Sequence, residues 1–225
     1  MPYKWLAGEG TASKLNLAVN NEHAEVIELV VKGRNQLDLS KLKLLLSRNN
    51  IDSNSIYQWK NHYVIFDKIA DLSALQGRLQ NNFPGVEVKA YYDMFYEYSK
   101  RKNCGDKTVA KEWEHVLLTV NLVADKRKQQ EYYDYHATQF EKWPGVAKGF
   151  CNADFQQLLM FRNGRQLVLV ISIPKGESLD KLNPRTTENN PEMIEWNKIM
   201  GKYQEGIEGT KKGETWVMLE RVGSR

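Results

Sequence analysis

Residues 158–173 read LLMFRNGRQLVLVISI, with two apolar runs on either side of Asn163-Gly164. Asn-Gly is the strongest two-residue signal for a β-hairpin, because both residues accept the positive φ angles of a type I′ turn. The runs themselves are rich in residues that pack well on a pleated surface. This stretch therefore predicts two antiparallel strands, and the segments around it decide the fold to which they belong.

The flanking segments predict a strand and a helix on each side of the hairpin. The order is a strand at 115–123, a helix at 126–142, the hairpin, a helix from 191 to about 205, and a strand at 215–222. Asp125 and Asn190 stand where N-cap residues belong, and Pro144-Gly145 stands at the expected end of the first helix. The second half of the chain thus reads β-α-β-β-α-β.

The first half repeats the same order. Strands are predicted at 24–31 and 86–92, helices at 37–48 and 72–83, and a hairpin at 55–66 around Lys60-Asn61. Each half is a ferredoxin-like split βαβ motif. Since both helices of such a unit lie on one face of its sheet, the other face needs a partner. We therefore expect an α+β protein of two tandem ferredoxin-like units whose sheets face each other, an intramolecular dimeric α+β barrel.

This organisation divides the chain into four parts. Residues 1–22 are a polar tail, 23–98 the N-terminal unit, 99–113 a polar linker, and 114–225 the C-terminal unit. No apolar run approaches the roughly 20 residues that span a bilayer, and residues 1–10 lack the features of a signal peptide. We therefore expect a cytoplasmic protein that does not bind a membrane.

Charge and cysteine content argue against two further classes of function. The net charge of +4, from 32 basic and 28 acidic residues, is too small and dispersed to predict nucleic-acid binding. Cys104 and Cys151 lack the spacing of a metal finger, so structural zinc is not expected. A disulfide between them is compatible with the sequence, but free thiols are the simpler expectation in a reducing cytosol.

A stripe of aromatic residues marks the helix predicted at 126–142. Tyr132 and His136 are one helical turn apart and stack on one face, which Phe140 and Trp143 continue. A stripe of this kind is usually core. A tyrosine hydroxyl and an imidazole that face a sheet, however, need hydrogen-bond partners or a solvated cavity. This polarity weakens the interpretation as plain packing and makes the stripe a candidate site.

Several motifs of the second half occur together and in one order. They are Tyr132, Tyr135 and His136 followed by Trp143-Pro144, then Asn190-Pro191 with Glu195-Trp196, and the ending KGETWV at 212–217. In this order they resemble the L-rhamnose mutarotase family. The resemblance implies an enzyme that interconverts the α and β anomers of a pyranose, a 6-deoxyhexose such as L-rhamnose or L-fucose. It implies His136 as the proton donor, Tyr132 as a sugar contact and Trp196 in the wall of the sugar pocket.

Other positions around this site have less definite roles. Trp143 and Phe140 compete for one aromatic place beside the sugar, and Tyr132 and Asp154 are candidates for the partner acid or base. Histidine titrates near neutral pH, so His136 can both give and take a proton.

We expect no metal and no cofactor, because the reaction needs none and the sequence has neither G-x-G-x-x-G nor a P-loop. The expected partner is a monosaccharide, and a homodimer of the whole chain stays open.

The remaining histidines and one long loop have simpler interpretations. His23, His62 and His115 are expected to be solvated or structural. Residues 175–190 form a polar connection that is long for a compact domain, and it is either a lid over the sugar or a solvated loop.

A second interpretation keeps the fold and changes the function, since fold does not fix function. The protein would then be another α+β-barrel protein, either a small monooxygenase-like enzyme or a non-catalytic ligand-binding module. A polar, sugar-sized pocket at Tyr132 and His136 would favour the mutarotase, and an apolar, aromatic-walled pocket would favour the alternative. A purely structural role predicts a His136 that is bonded to the backbone, with no pocket beside it.

Overall fold

The structure is a computed structural model that describes residues 24–33 and 36–223. The tail predicted at 1–22, together with His23, lies outside these described residues. No helix within them combines the length and the apolar character needed to cross a membrane.

The first half forms a four-stranded sheet with two helices and a fifth strand that extends beyond it. Its elements are β1 (Glu25–Val31), α1 (Leu39–Ser47), β2 (Ile56–Trp59), β3 (His62–Asp67), α2 (Leu72–Asn82), β4 (Val86–Tyr91) and β5 (Asp93–Ser99). Both helices begin at an aspartate, because the carboxylates of Asp38 and Asp71 accept hydrogen bonds from backbone N–H groups of the first turn.

The second half contains the same core elements and several short helices. Its elements are α3 (Lys100–Asn103), β6 (Trp113–Leu122), α4 (Lys126–Ala137), α5 (Gln139–Lys142), α6 (Pro144–Asn152), β7 (Gln157–Asn163), β8 (Gln166–Pro174), α7 (Leu179–Leu182), α8 (Pro191–Met200), β9 (Gln204–Glu205) and β10 (Val217–Arg221). The single helix predicted at 126–142 is therefore divided at Thr138. Pro144 does not end a helix but begins α6, because proline is well suited to the first helical position.

The strands of both halves join one antiparallel sheet that nearly closes into a barrel. Their order is β4-β1-β3-β2-β10-β6-β8-β7-β5, with β9 paired to β6. Strand β10 connects the halves, because Val217 and Leu219 pair with β6 whereas Arg221 pairs with β2. At the other edge β5 follows β4 and pairs with β7. The predicted fold, two ferredoxin-like units in an intramolecular barrel, is confirmed.

Apolar side chains fill three layers, one inside the barrel and one beneath the helices of each half. Inside the barrel, Val26 and Val64 of the first half share a cluster with Val168 of the second half. Residues at odd positions of β1, such as Ile27, point to the opposite face and pack beneath α1 and α2. The larger cluster beneath the helices of the second half contains Tyr132 and is where the candidate site lies.

Strand β5 departs from the predicted arrangement. The prediction ends the last strand of the first unit at 92, whereas the chain continues past the exposed Tyr92 as β5 and pairs with β7 of the second half. Tyr96 and Tyr98 of β5 are buried in the cluster beneath the helices of the second half. A strand from the first half thus completes the sheet of the second half and contributes to its core.

The linker predicted at 99–113 contains a helical turn and a covalent bond. Cys104, which follows α3, forms a disulfide with Cys151 of α6, and their Cα atoms lie 5.8 Å apart. The expectation of free thiols is not met, because the packing of α3 on α6 brings together two cysteines that are 47 residues apart in sequence. Disulfides are rare in reducing compartments, so the cytoplasmic location stays a prediction.

Candidate active site

Helix α4 carries the two residues that the sequence analysis singles out. It begins at Asp125, whose carboxylate accepts hydrogen bonds from two backbone N–H groups of the first turn. Helical spacing puts Tyr132 and His136 on the same face, and both side chains are buried. This face of α4 packs towards β5 and α8, since the His136 ring contacts Tyr96 of β5 and Trp196 of α8.

The hydrogen bonding of His136 determines which ring nitrogen can react. Its Nδ1 lies 2.9 Å from the carbonyl oxygen of Tyr132. A carbonyl oxygen can only accept, so Nδ1 carries the hydrogen and Nε2 of the neutral ring holds a lone pair. Burial lowers the pKa of His136 to about 4, because the imidazolium would lose its hydration. His136 is therefore a neutral imidazole near neutral pH, with Nε2 able to accept a proton.

Four aromatic rings surround the imidazole of His136. The centroid distances are 4.3 Å to Tyr132, 5.1 Å to Tyr96, 5.2 Å to Trp196 and 5.8 Å to Phe95. Tyr96 and Trp196 meet the imidazole edge to face, an arrangement that aromatic rings favour. Because these rings come from three elements in both halves of the chain, the position of His136 depends on the tertiary structure as a whole.

The hydroxyl of Tyr132 stands at the end of a hydrogen-bond relay. The indole Nε1 of Trp216 donates to Oε1 of Gln204 at 3.1 Å, and this fixes the orientation of the Gln204 amide. Nε2 of Gln204 then donates to the Tyr132 oxygen at 3.4 Å. Burial raises the pKa of Tyr132, so its hydroxyl stays protonated and keeps a hydrogen to donate.

These groups line a cavity of about 380 Å³ between the sheet and the helices of the second half. Most of its wall is apolar, with Leu118 and Ile171 from the sheet and Met193 from α8. Its polar groups belong to Tyr96, Tyr132, His136, Asn183, Asn197, Gln204 and Trp216. A concave, largely apolar site with a few polar groups is the usual form of a small-molecule pocket.

The connection predicted at 175–190 forms part of this wall. It contains α7 and a 3₁₀ turn, and Leu179 and Asn183 line the cavity. The connection therefore occupies the place expected of a lid, while its opening stays a prediction.

The structure brings together some of the predicted site residues and leaves others outside. Tyr132, His136 and Trp196 line the cavity. Trp143 lies outside the lining and packs against Trp196, with 5.7 Å between the ring centroids. Phe140 also lies outside the lining and is 38% exposed. The cavity thus contains neither of the two residues proposed for the second aromatic place.

Asp154 does not reach the cavity. It follows α6, and its Oδ1 accepts a hydrogen bond from Nζ of Lys100 at 2.6 Å. This ion pair with a largely buried lysine accounts for the charge of Asp154, so we do not assign it a role with the sugar. Across residues 24–33 and 36–223, no three His, Cys, Asp or Glu side chains gather as metal ligands would.

Five polar residues of the lining are absent from the sequence-based site: Tyr96, Asn183, Asn197, Gln204 and Trp216. Gln204 and Trp216 lie in segments that the resemblance includes, but nothing in their spacing shows that they bond to each other. Tyr96 lies in β5, where it donates a hydrogen bond from its hydroxyl to Oε1 of Gln139 at 2.8 Å. The sequence signal that could have identified Tyr96 is its spacing of two from Tyr98, as in a strand with one buried face. This spacing does not indicate which sheet the strand joins.

Comparison with known proteins points to one family for the second half. Residues 115–223 match the model of the family described as L-rhamnose mutarotase. An L-fucose mutarotase from Xanthomonas campestris pv. campestris is 28% identical over 110 residues, which cover 48% of this chain and 86% of that protein. The matched residues include Tyr132, His136 and Trp196 but not Tyr96.

Two solved structures resemble the whole chain more loosely. One is a ferredoxin-fold protein from Listeria monocytogenes related to antibiotic biosynthesis monooxygenases, with a TM-score of 0.38, 11% identity and coverage of 89% of this chain and 95% of that one. The other is a heme-degrading enzyme from Listeria monocytogenes, with a TM-score of 0.37, 13% identity and coverage of 88% and 99%. Similarities this weak carry no argument about function.

Proposed function

Because the second half of the chain matches the L-rhamnose mutarotase family, we propose that the protein is a mutarotase that interconverts the α and β anomers of a free pyranose. The observation that carries this proposal is the pair of Tyr132 and His136 in the wall of a ligand-sized cavity, inside the matched residues. The substrate we propose is a 6-deoxyhexose such as L-rhamnose or L-fucose. Its methyl group suits the apolar part of the wall, as its hydroxyls suit the few polar groups.

Mutarotation opens the sugar ring at the C1–O5 bond and closes it on the other face of C1. On opening, O1 loses its proton, C1–O1 becomes a carbonyl, the C1–O5 bond breaks and O5 gains a proton. Nε2 of neutral His136 can accept the O1 proton, and the resulting imidazolium can donate it to O5, because both oxygens are bonded to the same carbon. Rotation about C1–C2 and reversal of these steps produce the other anomer and restore His136.

The electrostatics of the cavity suit these roles. A pKa of about 4 makes His136 a base at rest and a strong acid once it is protonated, as both halves of the proton transfer require. The hydroxyl of Tyr132, which the raised pKa keeps protonated, can donate a hydrogen bond to the oxygen on which charge develops.

The experiment that tests this proposal is exchange NMR on free sugars at their anomeric equilibrium. Saturation transfer between the α and β resonances is measured for L-rhamnose, L-fucose, D-galactose and D-glucose, with and without the protein. We expect acceleration for at least one of the 6-deoxyhexoses and its loss in His136→Ala. If no sugar exchanges faster than in buffer alone, the proposal is wrong.

One observation supports a second candidate, a protein that binds a flat apolar ligand. Most of the cavity wall is apolar, and Nδ1 of His136 is bonded to the backbone. Titration with haem, followed by its visible absorption, tests this alternative. Tight one-to-one binding that Trp196→Ala weakens, in a protein that exchanges no sugar, would favour the second candidate over the mutarotase.

A further inference from the structure

One end of the barrel interior is closed by a polar layer, which we define as Glu28, His62, Lys89, Thr119 and Gln166. Alternation along the strands places these residues on the same face as the apolar interior: Glu28 follows Val26 on β1, for example, at a spacing of two. Three of the residues belong to the first half and two to the second. The polar layer is thus shared by the two units and lies apart from the His136 cavity, whose lining contains none of its members.

Glu28 is the centre of the polar layer and is fully buried. Its Oε1 accepts hydrogen bonds from Nδ1 of His62 at 2.7 Å and from Nε2 of Gln166 at 3.1 Å. Its Oε2 accepts one from the Tyr91 hydroxyl at 2.8 Å and lies 3.7 Å from Nζ of Lys89. Burial acts to raise the pKa of Glu28, but the hydrogen bonds from His62 and Tyr91 and the charge of Lys89 bring it below its ordinary value. The carboxylate is therefore ionised and acts only as an acceptor.

The state of Glu28 determines what His62 can do. Because the carboxylate accepts from Nδ1, that nitrogen carries the hydrogen, and Nε2 is the ring nitrogen left for another partner. Nε2 has no hydrogen-bond partner among residues 24–33 and 36–223, and it is not sealed away from solvent. His62 lines a cleft of about 870 Å³, so Nε2 is available to a ligand in the cleft.

The cleft lies between the turns of the two hairpins and offers further acceptors. Asn61 belongs to the first turn and Asn163 to the second, and both line the cleft. Their Nδ2 groups donate to the carbonyl oxygens of Val31 and Ala90, each at 2.8 Å. The Oδ1 atoms have no donor among the described residues, so they can accept hydrogen bonds from ligand hydroxyls.

The charges of the cleft are balanced. Lys32 lies 3.1 Å from the Glu87 carboxylate, and the Arg165 guanidinium is paired with Glu205. Since these cations already have carboxylate partners, they would add little to the binding free energy of an anionic ligand. A neutral ligand with many hydroxyl groups fits this arrangement of acceptors and paired cations better.

We propose that this cleft is a second saccharide site, which binds a neutral disaccharide with Nε2 of His62 hydrogen-bonded to a ligand hydroxyl, a group that can both donate and accept. The volume supports more than one sugar ring, since about 870 Å³ is over twice the 380 Å³ of the His136 cavity. This site does not depend on the proposed mutarotase activity.

The test uses carbohydrates that cannot mutarotate, because the anomeric oxygens of trehalose, sucrose and methyl glycosides are blocked. Each is titrated into the full chain labelled with ¹⁵N-histidine, and the imidazole nitrogens are followed by long-range ¹H–¹⁵N NMR. We expect a saturable shift of Nε2 of His62 with at least one disaccharide, while the resonances of His136 stay in place. If no member of this panel shifts His62, the polar layer only closes the barrel and the proposal is wrong.

Two matched substitutions locate the ligand. Asn121 of β6 lines the cleft, and Asn197 of α8 lines the His136 cavity. Asn121→Trp should weaken disaccharide binding by about tenfold or more and leave anomer exchange unchanged, because it fills only the cleft. Asn197→Trp should preserve disaccharide binding. If Asn197→Trp abolishes disaccharide binding and Asn121→Trp does not, the ligand occupies the His136 cavity and the proposal is overturned.

Discussion

His136 is the residue on which the proposed chemistry depends most directly. General acid–base participation contributes roughly 10²–10⁴-fold to a rate, so His136→Ala should slow enzyme-catalysed anomer exchange by about that factor. Saturation-transfer NMR measures the rate, and a thermal melt shows whether the variant stays folded. His115→Ala is the control, because His115 lies on β6 of the same half but outside the cavity. Wild-type exchange in a folded His136→Ala variant would refute the mechanism.

The lowered pKa of His136 makes exchange and stability depend on pH in the same direction. With a pKa of about 4, the neutral base is lost only below pH 5, so exchange should stay constant from pH 7 to 5 and fall towards pH 4. In the unfolded chain the ring titrates near pH 6.5. The unfolded state therefore binds the proton first, and the contribution of His136 to stability, up to roughly 3 kcal/mol, is present above pH 6.5 and lost as pH falls towards 4.

Urea unfolding at several pH values separates this contribution from those of other groups. Wild type and His136→Gln are compared, since glutamine can donate to the same backbone carbonyl without titrating. We expect the free energy of unfolding of wild type to fall more steeply between neutral pH and pH 4 than that of the variant. Parallel curves would show that the pKa of His136 is not shifted by folding.

Tyr132 is expected to contribute binding rather than proton transfer. Tyr132→Phe keeps the ring against His136 and removes one hydroxyl, so sugar binding should weaken by roughly 0.5–1.5 kcal/mol. Titration of the sugar, followed by NMR, measures the change in Kd. Tyr133→Phe on the same helix is a matched control, because Tyr133 lies outside the lining of the cavity. Equal effects of the two substitutions would contradict a specific contact at Tyr132.

Strand β5 gives the first half a direct part in the site of the second. The Tyr96 ring packs on His136, and its hydroxyl bonds to Gln139. Tyr96→Phe should cost about 1 kcal/mol of stability and retain most exchange, since it removes only one hydrogen bond. Tyr96→Ala removes the ring that packs on His136 and so allows the imidazole to shift. It should slow exchange about tenfold or more, because a small displacement of a catalytic group lowers the rate strongly. Exchange rates and melts of both variants test this expectation.

The control for β5 is Tyr92→Ala. Tyr92 is 63% exposed and stands between β4 and β5, so its loss should change neither exchange nor stability by much. If a folded Tyr96→Ala protein exchanges sugar at the wild-type rate, β5 supports the sheet but not the site.

The disulfide joins the segment between the two halves to the body of the second half. Cys104→Ser should lower the free energy of unfolding by roughly 2–4 kcal/mol, because the bond closes a long loop in the unfolded chain. Urea unfolding of wild type with and without dithiothreitol gives an independent measure of the same quantity. We expect reductant to destabilise wild type to about the level of Cys104→Ser and to leave the variant unchanged. A wild type that is insensitive to reductant would show that the bond does not stabilise the protein.

The sequence by itself determined the features that depend on local interactions. Both hairpins, the aspartate cap of α4 and the buried face that holds Tyr132 and His136 follow from turn preferences and from the helical period. The repeated order of elements was sufficient to predict two facing units, since a sheet with one uncovered apolar face requires a partner. For the same reason, the most reliable part of the predicted site is the part carried by a single helix.

Only the tertiary structure decided which distant segments meet. The pairing of β5 with β7, the contact of Tyr96 with His136, the disulfide and the bond between Glu28 and His62 all join residues far apart in sequence. Local periodicity indicates that a residue is buried, but not against what, because the partner of a strand depends on which sheet edge lies beside it in the folded chain. From the sequence alone, a carboxylate such as Glu28 is not expected inside an apolar strand. It is stable there because the fold brings donors from His62, Tyr91 and Gln166 to it.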